Sequence, residues 1–242
     1  MIYAWDWYEQ FVKERRIVSE PIVIILQTYK RTDCALPTIA AACRHLKYGG
    51  DLLWYVADDG SPAAHVEQVV GALDRCNANI IGVHSERLLY GGNCNKAWAE
   101  ADRVGALTLW LEDDWVLTRD IDLYAYAALL MERDDIGMVR MGYLNTGMRG
   151  QTIAHGSSVY WMLDREPAEP HQVVFTGHPS LRHTRYRDAY GNYPVIPNPG
   201  ETELAYAYQF RMGHGPGIVW PHDWPQWGYF EHIGSVKTET ML

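Results

Sequence analysis

The chain has 242 residues, 48% of them hydrophobic, and a formal net charge of −9 at pH 7. This length suits one substantial core, so we expect a single domain over residues 1–242, and the acidic balance argues against a general affinity for polyanions. No run approaches the eighteen or so apolar residues of a membrane span and no signal segment stands out, so we expect a cytoplasmic protein with no membrane span.

The first half of the chain alternates between apolar runs and helical patterns. Strands are predicted at residues 21–26, 52–57, 78–83 and 107–111. Helices are predicted at residues 6–17, 33–47, 63–76 and 95–104, the last after a glycine-rich turn. Repeated alternation of strand and helix is typical of an α/β fold with a doubly wound, mostly parallel sheet and right-handed crossovers.

Beyond residue 115 this alternation weakens. A helix is predicted near residues 121–132, and short strands near 136–141 and 159–163. Residues 173–182 favour a strand followed by a helix that a proline initiates. Residues 197–205 favour a loop that enters a helix, with acidic residues in the first turn.

Three consecutive carboxylates, Glu112, Asp113 and Asp114, end the fourth predicted strand. In an open α/β sheet, ligands bind outside the carboxyl ends of the strands. Because adjacent carboxylates repel one another unless they share a cation, a divalent metal is the first hypothesis. The alternative is a loop that starts at Glu112, with the two aspartates capping a helix. If the strand continues to its tip, Glu112 and Asp114 lie on one side and Asp113 on the other.

Polar residues follow each of the other predicted strands as well. They occupy residues 28–31, 58–61 and 84–87. Any one of these segments is also an ordinary turn or exposed loop. Parallel strands, however, end at the same edge of a sheet, so the sequence predicts that all these segments meet the acidic tip at one crevice.

Three of these segments together resemble glycosyltransferases of the GT-A fold, in particular the family-2-like group. They are IILQTYKR at residues 24–31, YVADDGS at residues 55–61 and LEDD at residues 111–114, a Glu-Asp-Asp variant of the Asp-x-Asp motif. The resemblance implies a GT-A fold, Rossmann-like, with a mostly parallel central sheet and helices on both faces. It also implies a nucleotide-sugar-binding half over about residues 20–115, and an acceptor-binding half with a C-terminal lid over about residues 116–242.

The resemblance assigns a nucleotide-binding role to several residues at the strand ends. In the family, the first strand end and the Asp-Asp-Gly-Ser turn hold the nucleotide, and a glycine-rich segment approaches it ahead of the third helix. The residues that match are Thr28, Tyr29, Arg31, Asp58 and Asp59, with Gly92 and Asn95 from the segment at residues 90–96.

By the same resemblance, Asp114 is the metal ligand, with Glu112 close by, directly or through water. The metal would be Mn²⁺ or Mg²⁺, which stabilises the charge on a departing diphosphate. Asp113 is expected to hold hydroxyls of the donor sugar. His232, in a segment like the family's late His-x-Gly, is expected to complete the metal shell from a loop that closes over the donor, and His222 is the second candidate.

An inverting transferase needs a carboxylate to accept the proton of the acceptor hydroxyl. Many family-2 members place this base in a Glu-Asp pair at a helix start, whereas this chain has Glu-Thr-Glu at residues 201–203. Glu201 and Glu203 are both candidates, with Glu203 favoured slightly. A retaining mechanism stays open.

The sequence therefore predicts a metal-dependent glycosyltransferase that uses a nucleotide-sugar donor, expected to be UDP-linked, and a hydroxyl of a glycan or protein as acceptor. A nucleotidyl transferase would usually carry a glycine-rich loop after the first strand, where residues 27–31 contain no glycine. Two alternatives remain: an inactive sugar-nucleotide-binding module, and transfer to hydroxymethylated bases of DNA. The DNA alternative depends on three arginines at residues 182–187. The net charge of −9 argues against it, and arginines in such a pattern usually form a solvated helix face. No oligomeric state is predicted.

Overall fold

The computed structural model describes residues 20–144, 148–166, 174–175, 177–225 and 228–234. The predicted helix at residues 6–17 lies outside these ranges. The helices within them are α1 (Thr32–His45), α2 (Ala63–Arg75), α3 (Leu89–Ala101), α4 (Tyr124–Glu132), α5 (Thr184–Tyr190) and α6 (Pro199–Met212). None of the helices in this described part of the chain is long and apolar enough to cross a membrane.

The strands of the described ranges form one large sheet and two small ones. They are β1 (Ile22–Thr28), β2 (Leu46–Lys47), β3 (Leu52–Asp58), β4 (Asn79–His84), β5 (Leu107–Glu112), β6 (Trp115–Leu117), β7 (Ile121–Asp122), β8 (Ile136–Arg140), β9 (Gly150–His155), β10 (Ser158–Leu163), β11 (Ser180–His183), β12 (Gly217–Pro221) and β13 (Phe230–His232). The large sheet has nine strands in the order β4-β3-β1-β5-β11-β8-β12-β10-β9, in which β10 and β11 run against the other strands. The predicted α/β architecture with a mostly parallel central sheet is confirmed.

Strand β1 lies in the middle of the parallel part of the sheet. Every residue of β1 is buried, and the strand pairs in parallel with β3 on one side and β5 on the other. A continuous run of Ile, Val and Leu suits this position, because helices that connect parallel strands cover both faces of the sheet.

The chain changes direction across the sheet at β1. It passes from β1 to β3 and then to β4 on one side, and it returns to place β5 on the other side of β1. With right-handed crossovers, this reversal puts α3 on the face opposite α1 and α2. Such a switch point opens a crevice at the carboxyl ends of the two central strands, β1 and β5.

The strand register brings the predicted polar segments to this edge. Thr28 pairs with Asp58, Ala57 with His84, and Gln27 with Glu112. The prediction that the four segments end at one edge of the sheet is therefore confirmed.

The C-terminal segment reaches the same edge through a small antiparallel sheet. Strand β13 pairs with β6, and His232 lies opposite Trp115, which directly follows the acidic tip. A residue near the end of the chain is thereby placed beside Asp114.

Two predicted elements differ in the structure. Helix α3 begins at Leu89, so the glycine-rich segment predicted as a turn belongs to the helix. A Cβ at Gly91 would lie 2.1 Å from the backbone oxygen of Pro194, so a tertiary contact explains this glycine. Residues 180–183 form strand β11 rather than a helix initiated by a proline, because they pair with both β5 and β8.

Candidate active site

The acidic tip is a turn rather than a continuation of the strand. Strand β5 ends at Glu112, Asp113 and Asp114 form the turn, and β6 follows. The alternative in which the aspartates cap a helix is therefore wrong. In a continuing strand, the Asp113 and Asp114 side chains would point to opposite sides. They do not, as the contact of the Arg31 guanidinium with both carboxylates shows.

The Asp113 carboxylate is engaged by protein donors on both oxygens. Oδ2 accepts hydrogen bonds from Thr28 Oγ1 at 2.9 Å and from the Tyr29 backbone N–H at 3.1 Å, and Oδ1 binds Arg31. Burial raises the pKa of Asp113 to about 6, although the Arg31 charge acts in the opposite direction. Asp113 thus links the end of β1 to the end of β5. A sugar hydroxyl at this position would have to donate to the lone pairs of the Asp113 carboxylate that these protein donors leave free.

Asp114 combines one engaged oxygen with one free oxygen. Oδ2 lies 2.6 Å from Arg31 Nη1 and 3.1 Å from His232 Nε2. Oδ1 is buried and has no hydrogen-bond partner among the described residues. Because an unpaired buried carboxylate oxygen is costly, this atom calls for a further partner.

His232 is held against the acidic tip by stacking and by backbone pairing. Its ring stacks on Trp115 with centroids 4.7 Å apart and an angle of 23°. The Ile233 N–H donates to the Asp114 carbonyl at 2.9 Å, and a Cβ at Gly234 would lie 2.1 Å from Asp114 Oδ2. The glycine therefore permits this close approach. The structure places His222 elsewhere, against Trp161 after β12.

The described residues contain no group of three or more His, Cys, Asp and Glu side chains arranged to hold a metal ion. Asp114 and His232 offer two ligands. Mg²⁺ commonly binds through one or two protein groups, with substrate phosphates and water as the other ligands. The free oxygen of Asp114 and the adjacent imidazole fit such a shared cation.

Glu112 lies beside a different carboxylate, that of Glu203. The Tyr90 hydroxyl lies 3.1 Å from Glu112 Oε1 and 3.3 Å from Glu203 Oε1, so it can donate its single hydrogen to either of the two carboxylates. Burial raises the pKa of Glu112 well above its usual range, and the Glu203 charge adds to this effect. Burial also raises the pKa of Glu203, against the Gly177 backbone N–H that donates to Oε1 at 2.8 Å.

A glycine, Gly177, packs directly against the carboxylates of Glu112 and Glu203. A Cβ at Gly177 would lie 2.2 Å from Glu203 Oε1 and 2.8 Å from Glu112 Oε1. Glu201, in contrast, is exposed in the first turn of α6, which Asn198 caps. The structure therefore separates the two glutamates that the sequence left as alternatives: Glu203 lies beside the acidic tip, and Glu201 faces solvent.

The Asp58–Ser61 turn uses its two aspartates differently. Asp58 shapes the turn, since its Oδ2 accepts from the Gly60 and Ser61 backbone N–H groups at 3.1 and 2.8 Å. Asp59 accepts from the Leu88 N–H at 2.8 Å and pairs with Arg87. Burial raises the pKa of Asp59, in opposition to these donors.

Arg87 is a site residue that sequence reasoning missed. Its guanidinium lies 4.5 Å from the centroid of the Tyr29 ring and also binds Asp59. The available signal was its position in the polar segment after β4. Tyr29 and the ion pair of Arg87 with Asp59 together form an aromatic and charged rim on the β1 and β3 side of the crevice.

Asn95 and Gly92 support the loop before α6. The Asn95 side chain forms two hydrogen bonds with the Tyr193 backbone, at 2.9 and 2.8 Å. A Cβ at Gly92 would lie 3.2 Å from Leu88 Cβ. Their predicted role toward a nucleotide stays a prediction, because these contacts are internal to the protein.

The three arginines at residues 182–187 do not form an exposed basic face. Arg182 is 2% exposed and lies over the Trp110 ring at 4.5 Å. Arg185 Nη1 donates to the carbonyls of residues 130, 133 and 136, and Arg187 binds Asp102. The expectation of a solvated arginine helix is therefore wrong, because neighbouring elements engage all three guanidinium groups.

No protein-family model and no curated protein sequence matches the chain. Among solved structures, it is similar to mannosyltransferase PcManGT from Pyrobaculum calidifontis in complex with GDP-Man and Mn²⁺, with 13% identity, a TM-score of 0.56 and 92% of this chain covered. It is also similar to S. aureus TarS 1-349 in complex with UDP-GlcNAc, with 14% identity, a TM-score of 0.58 and 90% covered. GalNAc-T7 with UDP, GalNAc and Mn²⁺ gives 12% identity, a TM-score of 0.54 and 84% covered.

The chain spans 66%, 62% and 42% of the lengths of these three proteins, respectively. At this level of identity, the similarity concerns the fold. The central sheet, its switch point between β1 and β5 and the three structural relatives lead to one conclusion: the chain has the GT-A fold of nucleotide-sugar glycosyltransferases.

Proposed function

We propose that this protein transfers a sugar from a nucleoside-diphosphate sugar to a hydroxyl group of a glycan or a protein, with the help of Mn²⁺ or Mg²⁺. The observation that carries the proposal is the meeting of Asp114 and His232 at the switch point of the sheet, with a buried carboxylate oxygen left without a partner. A shared cation and an anionic donor would satisfy this arrangement.

Asp114 and His232 are the residues that would hold the cation, and Glu112 is near enough in sequence to contribute through water. When bound, the cation supplies stabilisation of the negative charge on the leaving diphosphate. Arg31, which lies beside Asp114, would bind the same diphosphate by charge-assisted hydrogen bonds.

The nucleoside is proposed to lie against Tyr29, with Thr28 at the end of β1 and the Asp58–Ser61 turn around it. The Tyr29 ring offers a stacking surface, and Asp59 offers a carboxylate at the rim. We expect a UDP sugar as the donor. GDP-mannose is the second donor to test, since one structural relative holds it.

Glu203 is our proposed catalytic base. Its carboxylate would accept the proton of the acceptor hydroxyl as that oxygen bonds to the sugar C1, while the bond from C1 to the phosphate oxygen breaks and the nucleoside diphosphate leaves. Attack from the face opposite the diphosphate inverts the configuration at C1. The raised pKa of Glu203 makes its carboxylate a stronger base for this proton than an exposed glutamate would be.

A donor screen tests this function. Thermal-shift measurements would compare UDP, GDP and their sugars, each with and without Mn²⁺, because a ligand that binds the folded state raises the melting temperature. We expect one nucleotide sugar to stabilise the protein more with Mn²⁺ than without. Asp114→Ala should remove the Mn²⁺-dependent part, whereas Asp74→Ala, an exposed acid on α2, should keep it.

The outcome against the proposal is equally specific. If no nucleotide sugar stabilises the protein with or without Mn²⁺, a nucleotide-sugar transferase is excluded. If a sugar nucleotide binds but is neither hydrolysed nor transferred to glycan or peptide acceptors, the chain is a binding module. A metal-dependent shift that is unchanged in Asp114→Ala would refute the assignment of the acidic tip.

A further inference from the structure

His65 occupies a polar position beneath the crevice that the proposed reaction does not use. It lies in the first turn of α2 and is 5% exposed. Its ring contacts two hydroxyl groups: Nε2 lies 2.7 Å from Thr28 Oγ1, and Nδ1 lies 2.6 Å from Thr32 Oγ1. A buried histidine with both nitrogens engaged has a fixed orientation, so its surroundings determine where its proton resides.

The hydrogen bonds of Thr28 determine the tautomer of this ring. Asp113 Oδ2 accepts the Thr28 hydroxyl hydrogen, because an ionised carboxylate has no hydrogen to give. Thr28 Oγ1 must then accept its second hydrogen bond from His65, so the ring proton resides on Nε2. Nδ1 is therefore bare and accepts from the Thr32 hydroxyl. Burial lowers the pKa of His65, in keeping with a neutral ring.

The two threonines stand at either end of the turn that carries Tyr29 and Arg31. Within this turn, Lys30 has a φ of 59°, a left-handed conformation that is costly for a residue with a side chain. The Lys30 N–H donates to Ser61 Oγ at 2.8 Å, which holds the turn from one side. The His65 ring holds it from another, because it joins residue 28 to residue 32.

The contacts continue from the turn to the acidic tip. His65 donates to Thr28, Thr28 donates to Asp113, and Asp113 binds Arg31. Rotation of the Asp113 carboxylate would remove one side of the double contact that holds the Arg31 guanidinium. The orientation of Arg31 toward the crevice therefore depends on a residue of α2 that does not itself reach the crevice.

We propose that His65, as the Nε2–H tautomer, is a positioning residue that orients Arg31 for the donor diphosphate through Thr28 and Asp113. The inference rests on the proposed function, since Arg31 needs a diphosphate to bind. It assigns to His65 an effect on donor affinity and none on the transfer step, because Glu203 is held separately by Gly177 and Tyr90.

Two substitutions of His65 separate this role from a general packing role. In His65→Gln, the amide nitrogen can take the place of Nε2 and donate to Thr28. In His65→Asn, the shorter amide matches Nδ1 and reaches only Thr32. Loss of a hydrogen bond to a charged group shifts an equilibrium by about a factor of ten or more, and the charged group that loses its support here is Arg31, which is proposed to bind the donor. We therefore expect the Kd for UDP or GDP, whichever binds, to rise about tenfold in His65→Asn and less than about threefold in His65→Gln.

The kinetic readout follows the same logic. In His65→Asn, KM for the donor should rise by a similar factor while kcat stays within about twofold of wild type. Thr28→Val removes the next link, and the double variant with His65→Asn should bind nucleotide no worse than Thr28→Val alone, because both changes break one chain of contacts. If His65→Asn fails to fold, His65→Gln and the ring tautomer of the wild-type protein still test the inference.

A spectroscopic measurement tests the tautomer without any ligand. Long-range ¹H–¹⁵N correlation of the histidine rings at neutral pH should show His65 protonated at Nε2 and bare at Nδ1. A ring protonated at Nδ1, or equal nucleotide affinity in His65→Asn and wild type, overturns the inference. If the wild type itself binds no nucleotide, the proposed function fails instead, and the tautomer result still stands on its own.

Discussion

Nε2 of His232 lies 3.1 Å from Oδ2 of Asp114, although 118 positions separate the two residues in the chain. An imidazole and a carboxylate at this distance attract each other when the ring is protonated, and both can bind one cation when it is neutral. The pairing of β13 with β6 fixes the backbone that carries His232 next to the acidic tip. The contact therefore does not depend on side-chain rotamers alone.

The first prediction concerns this pair. His232→Phe keeps a ring to stack on Trp115 but removes the nitrogen ligand. We expect the Mn²⁺ affinity of the nucleotide-bound protein to fall about tenfold or more, since weaker changes around metal ligands already cost that much. Electron paramagnetic resonance of free Mn²⁺ would measure it. His222→Phe is the matched control and should leave the affinity unchanged; equal loss in both variants would exclude His232 as a ligand.

The second prediction separates the two candidate bases. Glu203→Gln should lower kcat about a hundredfold or more, because a positioned base contributes a factor of about 10²–10⁴, while nucleotide affinity stays near wild type. Glu201→Gln changes an exposed carboxylate on the same helix and should leave kcat within about twofold. Steady-state kinetics with a saturating donor would measure both. A larger loss in Glu201→Gln than in Glu203→Gln would transfer the role to Glu201.

The third prediction concerns the glycine beside the carboxylate pair. Gly177→Ala would place a methyl group 2.2 Å from Glu203 Oε1, so the carboxylate has to move away from the Gly177 N–H. We expect kcat to fall nearly as far as in Glu203→Gln, with nucleotide binding retained.

Gly200→Ala is the control for this substitution, because its new Cβ would meet only Asn198 Oδ1 at an ordinary 3.4 Å. Turnover in Gly200→Ala should remain near wild type. If Gly177→Ala kept full turnover, Glu203 would not need the geometry seen here, and its assignment as the base would lose its structural support.

The edge of the sheet where these residues meet could be predicted from the sequence for a physical reason. A strand buried on both faces has to be apolar, so the first polar residues after it mark its end, and parallel strands end together. The positions of Thr28 and Asp114 at this edge of the sheet could be predicted in this way. Because this pattern involves only residues that are neighbours in the chain, the strand ends can be recognised from the sequence alone.

The remaining site residues depend on contacts that no local pattern encodes. Two glycines favoured a turn at residues 90–96, yet they lie inside α3, where Gly91 permits the close approach of Pro194 and Tyr90 reaches Glu112. Likewise, a run of arginines suggests an exposed face. Burial of Arg182 depends on aromatic rings from α3 and β5, which only the tertiary fold brings together.

The last prediction concerns stability at acidic pH. Burial, together with the Arg185 charge, lowers the pKa of His183 to about 4. The folded protein therefore binds fewer protons at this ring than the unfolded chain does between pH 6.5 and about 4. This contribution to stability is fully present above pH 6.5 and is lost as the pH falls toward 4. Burial shifts His65, His84 and His178 in the same direction, so urea unfolding should show stability declining through this range.

His183→Asn isolates the share of this one ring. His183 caps α5, because its Nδ1 accepts from the Arg185 N–H at 3.1 Å, and asparagine is a good cap whose side chain does not titrate. We expect the variant to lose less stability than wild type between pH 6.5 and 4.5, with similar stability at pH 7.5. Parallel pH profiles of the two proteins would show that His183 titrates equally in the folded and unfolded states, contrary to its buried position against Arg185.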